Sequence, residues 1–385
     1  MPSALRTPSP AELPEKNKCP EDTYRLDPDG DVILILTRYV QYVSVDSTYD
    51  NDEGLCTSGD FSAKDPSNYE DIPPFSPETQ RDVIAYEKAP QYTEVEICEG
   101  VTGCEEEVII HVSSRHLILA SPVFRAMLQR KFTESNTLLA TGQVNVPLPD
   151  DDPDAFLILL NIIHGHLRQV PLDVDLAMLT QLAILVDKYR IHECVVMFSN
   201  FWFDRIKSTI PETYTDEIPA WICVSWVFSK PVQFKQATQL ALRQGRDAIS
   251  MSDLPIPLAV VDALNNRREE ALKHIVTTLL NHLDDYLENE HCSFECDALM
   301  VGALTKRLRA LHILPSRPEA PFYGLCFDDF TYRFRDGMYF PAAQRTSTYY
   351  YNHAKCAIKS IDQTLSMCEE KLGGLEMDTY TAIMP

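Results

Sequence analysis

Apolar positions alternate over Val108, Ile110 and Val112 and then change period, with Leu117, Phe124, Met127 and Leu128 recurring at helical spacing. The alternation predicts a strand, and the change predicts a short helical turn and then a second helix. Ser121 before Pro122 gives that second helix a start: a side-chain acceptor at the N-cap, then a proline where no N–H is missed. Upstream, Asp29-Gly-Asp-Val-Ile-Leu-Ile-Leu reads as a turn and a nearly all-apolar strand, the pattern of a strand covered on both faces.

Helical periods dominate the rest. Leu148-Pro-Asp-Asp-Asp-Pro ends a strand and caps a helix with carboxylates; that helix buries Phe156, Leu159, Leu160 and Ile163 and stops near Gly165. Asp175 caps a helix over 176–189 with Leu179, Leu182, Ala183 and Val186 on its apolar face, and 192–206 follows with Phe198, Phe201 and Trp202. After Pro211 the pattern predicts helices over 218–228, 234–243, 258–287 and 297–311, a proline-bearing loop around Pro315, Pro318 and Pro321, and a last helix over 354–372. The first of these is hydrophobic nearly all round and hence buried.

The wording Ser113-Ser-Arg-His-Leu-Ile-Leu-Ala-Ser-Pro-Val-Phe-Arg-Ala-Met-Leu resembles the BTB/POZ fold, and most closely its fungal members. The resemblance continues through Val144-Asn-Val-Pro-Leu-Pro-Asp-Asp-Asp-Pro and Leu182-Ala-Ile-Leu-Val-Asp-Lys-Tyr, and so covers roughly a quarter of the chain. It implies an α+β fold, a small sheet flanked by helices, and a protein-interaction module, and it names no reaction. The segment starting at Asp29 then becomes the first strand of the domain's sheet, and the chain divides into a disordered leader (1–25), a BTB domain (26–207), an α-helical domain (211–372) and a tail (373–385).

Charge changes this picture in one place. The chain carries a formal net charge of −23, and residues 37–107 hold 17 Asp or Glu against 4 Lys or Arg, so over half of the excess sits in one proline-bearing insertion between the first two strands. Most of it reads as solvated and disordered, although Tyr39-Val-Gln-Tyr-Val-Ser-Val continues the first strand and Thr93-Glu-Val-Glu-Ile alternates as a ribbon partner would. A polyanion is a poor ligand for nucleic acid or an anionic membrane, so protein partners are expected. No apolar run is long enough for a membrane span or signal peptide, and 11 cysteines scattered among helices and loops suit reduced thiols, so the cytoplasm or nucleus is the expected location.

Catalytic signatures are not evident: no phosphate-cradling glycine loop, nucleophile elbow or His-Glu-x-x-His pair appears, and the chain is read as a non-enzyme. Cys292, Cys296, His353 and Cys356 would make a structural zinc set of two close pairs across a long spacer, with Cys326 and Cys368 as substitutes; the competing reading is unligated thiols. Phe132-Thr-Glu134 matches the hydrophobic-x-Glu motif by which BTB adaptors of ubiquitin ligases contact a cullin scaffold, and the competing reading is a loop whose Phe132 packs down. Asp31 and Arg115 fall near the charged pair that lines the dimer groove in some BTB proteins, although Arg115 stands one residue nearer to the Ser-Pro helix than in the animal pattern.

The function expected is therefore protein–protein interaction through BTB-mediated homo- or hetero-oligomerisation, refined to substrate adaptation for a cullin-type ubiquitin ligase. The alternative is a zinc-stabilised scaffold, or an enzyme of unrecognised type, with no ligase link.

Overall fold

The computed structural model describes residues 22–43, 101–129, 132–251, 253–291, 293–335 and 359–381. Four strands, β1 (Asp22–Arg25), β2 (Val32–Val43), β3 (Val101–Val112) and β4 (Val144–Leu148), form one sheet in the order β1-β3-β2-β4. β2 runs parallel to β4 with Val32 opposite Val144 and Leu36 opposite Leu148. The apolar runs on either side of the acidic tract are thus neighbouring strands, and Val32, Leu34, Leu36, Val108, Ile110 and Val112 are all buried. Ile33 and Ile35 are only half-buried, so the second face of β2 is covered less than its all-apolar sequence suggests.

β1 corrects the expected leader. Asp22–Arg25 pairs in parallel with β3, Asp22 opposite Val108, although Asp-Thr-Tyr-Arg carries no apolar alternation to announce a strand. Backbone pairing and one side chain make it: Arg38 on β2 donates to Asp22 (2.8 Å), to Glu106 on β3 (3.5 Å) and to Asp154 (2.6 Å). Residues 1–21 lie outside the described residues.

β2 reaches Val43 and β3 begins at Val101, so strand structure enters the acidic tract from both ends. By their contacts residues 39–105 form a separate unit, of which 39–43 and 101–105 are described. The expected ribbon at 93–97 lies outside the described residues.

α1 (Ser114–Ala120) and α2 (Pro122–Gln129) follow β3, and α3 (Thr133–Thr141) precedes β4; α4 (Pro153–Ile163), α5 (Leu176–Tyr189) and α6 (His192–Ile206) complete this part. The predicted start signals are used as read. Ser121 Oγ accepts from Phe124 N (3.1 Å), Asp152 from Ala155 N (2.7 Å) and Asp175 from Met178 N (2.8 Å).

α7 (Ile218–Val227), buried at Ile218 and from Trp221 to its end, packs against both α5 and α8 (Pro231–Gln244), so the later helices share one compact unit with the sheet. α9 (Leu258–Glu288) contacts α8, α10 (Phe294–Ala310) and α12 (Lys359–Lys371). α10 starts earlier than its apolar stripe suggested, because Ser293 caps it by accepting from Cys296 N (3.3 Å). α11 (Phe327–Arg335) was not anticipated: Phe-Asp-Asp-Phe-Thr-Tyr-Arg-Phe-Arg is short, and its helical face shows only as Phe327, Phe330 and Thr331, all buried.

The expected tail is in part a docked segment. Leu375, Met377 and Tyr380, the last of these on α13 (Asp378–Thr381), are buried, and Leu375 N donates to the buried Thr238 hydroxyl at 2.9 Å. Gly374 makes the approach possible: its φ is +91°, and a Cβ there would meet Lys235 O at 2.3 Å.

Candidate partner-binding surface

The segment between α2 and β4 holds the hydrophobic-x-Glu triplet, and it is a helix rather than a loop. Thr-Glu-Ser-Asn-Thr-Leu-Leu-Ala-Thr carries too little apolar periodicity to be read as α3, but it closes on Gly142 in the left-handed region (φ +80°), a helix-stop signal present in the sequence. Glu134 sits in the first turn, where a carboxylate complements the helix dipole. α3 is fixed by contacts to α2 and β4 and by burial of Ser135.

Phe132 occupies the N-cap position of α3 and is 53% exposed, so it does not pack down. Leu139, in the second half of α3, is 83% exposed. An exposed aromatic thus heads α3 and an exposed leucine follows along it. Leu139 carried no motif, and its exposure is not readable from the sequence.

α3 also lines a cavity of about 460 Å³ with β4: Thr133, Glu134, Thr137 and Thr141 face Gln143, Val144 and Asn145. Two of its hydroxyls are spent locally, Thr137 donating to Thr133 O (2.9 Å) and Thr141 to Gln143 O (2.6 Å). The adjoining strand edge is blunted as well. Val144 N donates to Asp31 O (3.0 Å), so by strand alternation Asn145 and Pro147 face the open edge, and Pro147 has no N–H to offer.

Asp31 and Arg115 do not pair. Asp31 turns inward, accepting from Ser114 N (2.7 Å) and Ser114 Oγ (2.6 Å), and so holds the first residue of α1. Arg115, next on α1, points to solvent together with His116 and the 79% exposed Leu119. The aspartate therefore shapes the helix that presents the arginine.

Cys292, His353 and Cys356 lie outside the described residues. Among the described residues no group of three or more His, Cys, Asp or Glu side chains is placed to hold a metal ion. Cys296 has its backbone N–H on Ser293. The substitutes Cys326 and Cys368 are buried, their thiols pushed up by that burial, and each donates to a different carbonyl, Arg243 O (3.4 Å) and Ala271 O (3.9 Å).

Beneath this surface one network unites the stretches that carried the family likeness. Ser121 Oγ donates to Tyr189 O (2.6 Å), the Tyr189 hydroxyl and Lys188 donate to buried Asp151, and the Tyr189 ring stacks on Phe124 and Phe156 at 4.7 and 5.1 Å. Residues 90–202 match the family model of the BTB/POZ domain. The chain carries a BTB/POZ domain. The matched stretch begins inside the acidic tract, so β1 and β2 precede it although they share its sheet. A BTB/POZ domain is a module of protein–protein interaction and oligomerisation, so it implies protein partners. A comparison with curated proteins gave no match. No helix among the described residues is long and apolar enough to cross a membrane.

Proposed function

We propose that the protein is a BTB adaptor that docks a cullin-type ubiquitin-ligase scaffold through α3 and presents a client to it. One observation carries this reading: Phe132, a large aromatic that would gain from burial, stands half out of the surface at the head of a helix whose first turn carries Glu134, a carboxylate that also lines the cavity against β4. Burying the exposed half of such a side chain in a partner's pocket is worth about 1–1.5 kcal/mol, enough for an interface anchor, while the carboxylate fixes orientation. The client is held elsewhere, by the helical region or the acidic tract. No catalytic step is assigned to the chain.

The test is a pull-down of the full chain with a cullin amino-terminal domain. Capture that Phe132→Ala weakens at least tenfold supports the adaptor; no capture, or capture indifferent to that change, removes it.

A further inference from the structure

The start of α1 is held from outside by two groups of opposite acid–base character. Ser113, its N-cap residue, makes no side-chain cap of its own. Asp31 takes the N–H of Ser114, and the N–H of Ser113 goes to Nε2 of His164 at 3.1 Å, the residue that ends α4. The other ring nitrogen, Nδ1, stands 2.9 Å from Leu160 O, a carbonyl that can only accept. The imidazole is therefore neutral, with its proton on Nδ1 and its lone pair on Ser113 N–H.

Protonation cannot leave that arrangement intact. A proton on Nε2 would face the Ser113 N–H, donor against donor. The new cation would also lie against the His116 ring of α1, whose centroid is 4.8 Å away, and near His166 beyond the end of α4. Asp27, in the turn between β1 and β2, is the charge that favours the cation, together with the Leu160 carbonyl; Asp31, next door, is already engaged by Ser114. Burial is the largest influence and, with the two imidazoles, holds His164 below the ordinary histidine range.

We propose that His164 is an acid-operated latch on α1: neutral, it pins the helix that presents Arg115, His116 and Leu119; protonated, it lets go of the helix start and unsettles that face. The latch rests on this geometry and not on the cullin reading, which concerns α3. A one-proton opening gains up to about tenfold in population per pH unit between the unfolded and folded pKa values.

Hydrogen exchange of the full chain, corrected for the intrinsic pH dependence, tests it. In the wild type, exchange over 113–120 rises as pH falls from about 7 to 5 while α7 stays protected; in His164→Gln, whose amide can still accept from Ser113 without titrating, the corrected profile over 113–120 is flat. Equal profiles in the two proteins overturn the latch. Should His164→Gln fail to fold, NMR titration of the wild-type imidazole decides: a His164 midpoint below the ordinary value of about 6.5, with Ser113 and Ser114 amides shifting at the same midpoint, supports it, and a midpoint at or above that value, or amides that do not follow it, overturns it.

Discussion

The Tyr189 hydroxyl donates to the Asp151 carboxylate at 2.5 Å, joining the end of α5 to the turn that starts α4. Asp151 is 4% exposed, and burial followed by this carboxylate drives the tyrosine's pKa upward, so the phenol stays protonated as the donor. Tyr189→Phe removes that donor and leaves the buried carboxylate with Lys188 alone. A loss of about 1.5–3 kcal/mol is expected in urea unfolding, with the fold kept, because the ring still stacks between Phe124 and Phe156.

Arg268 on α9 is fully buried and donates to five carbonyls, those of Gly245, Arg246, Pro321, Phe322 and Leu325. One planar guanidinium thus clasps the loops after α8 and before α11. Arg268→Lys keeps the charge but not the fork, so it should fall nearly as far as Arg268→Met, each by about 3 kcal/mol. Recovery of stability with lysine would show that charge alone sufficed.

At Gly374 a methyl group has no room. Gly374→Ala meets Lys235 O and forces an unfavourable φ, a cost of about 2 kcal/mol or more, read as a lower Tm and as new protease cleavage near residues 372–381. An unchanged Tm would mean that the docked segment adds nothing.

Arg38 ties three strands and α4 together near the base of the acidic tract. Arg38→Ala should cost about 1–2 kcal/mol and, more specifically, speed hydrogen exchange in β1, whose Asp22 loses its partner. Exchange in β4 should change little.

His164, His192 and His282 all lie below their ordinary range, chiefly through burial. The unfolded chain then binds protons more readily than the folded one, so stability is complete above the unfolded value near 6.5 and declines as pH falls from there toward the folded values. Denaturation midpoints at pH 7.5, 6.5 and 5.5 should fall in that order.

Much of the sheet and its covering helices was legible because period and caps agreed: Asp175 and the apolar face behind it predict α5 at its observed bounds, Leu176–Tyr189. What was hidden lacked an apolar signature. β1 is polar and exists through its neighbours, and α3 is a threonine-rich helix whose only sign was Gly142. Of the candidate residues, Phe132 shows its character only through exposure, and Asp31 turns out to serve α1, a role that depends on Ser114 lying 83 positions away in sequence and 2.6 Å away in space.

The docking account stands or falls on α3. Hydrogen exchange of the full chain with and without a saturating cullin amino-terminal domain locates the contact directly. The account predicts slowed exchange over 132–141, lost with Phe132→Ala; slowing confined to other segments, or none at all, contradicts it.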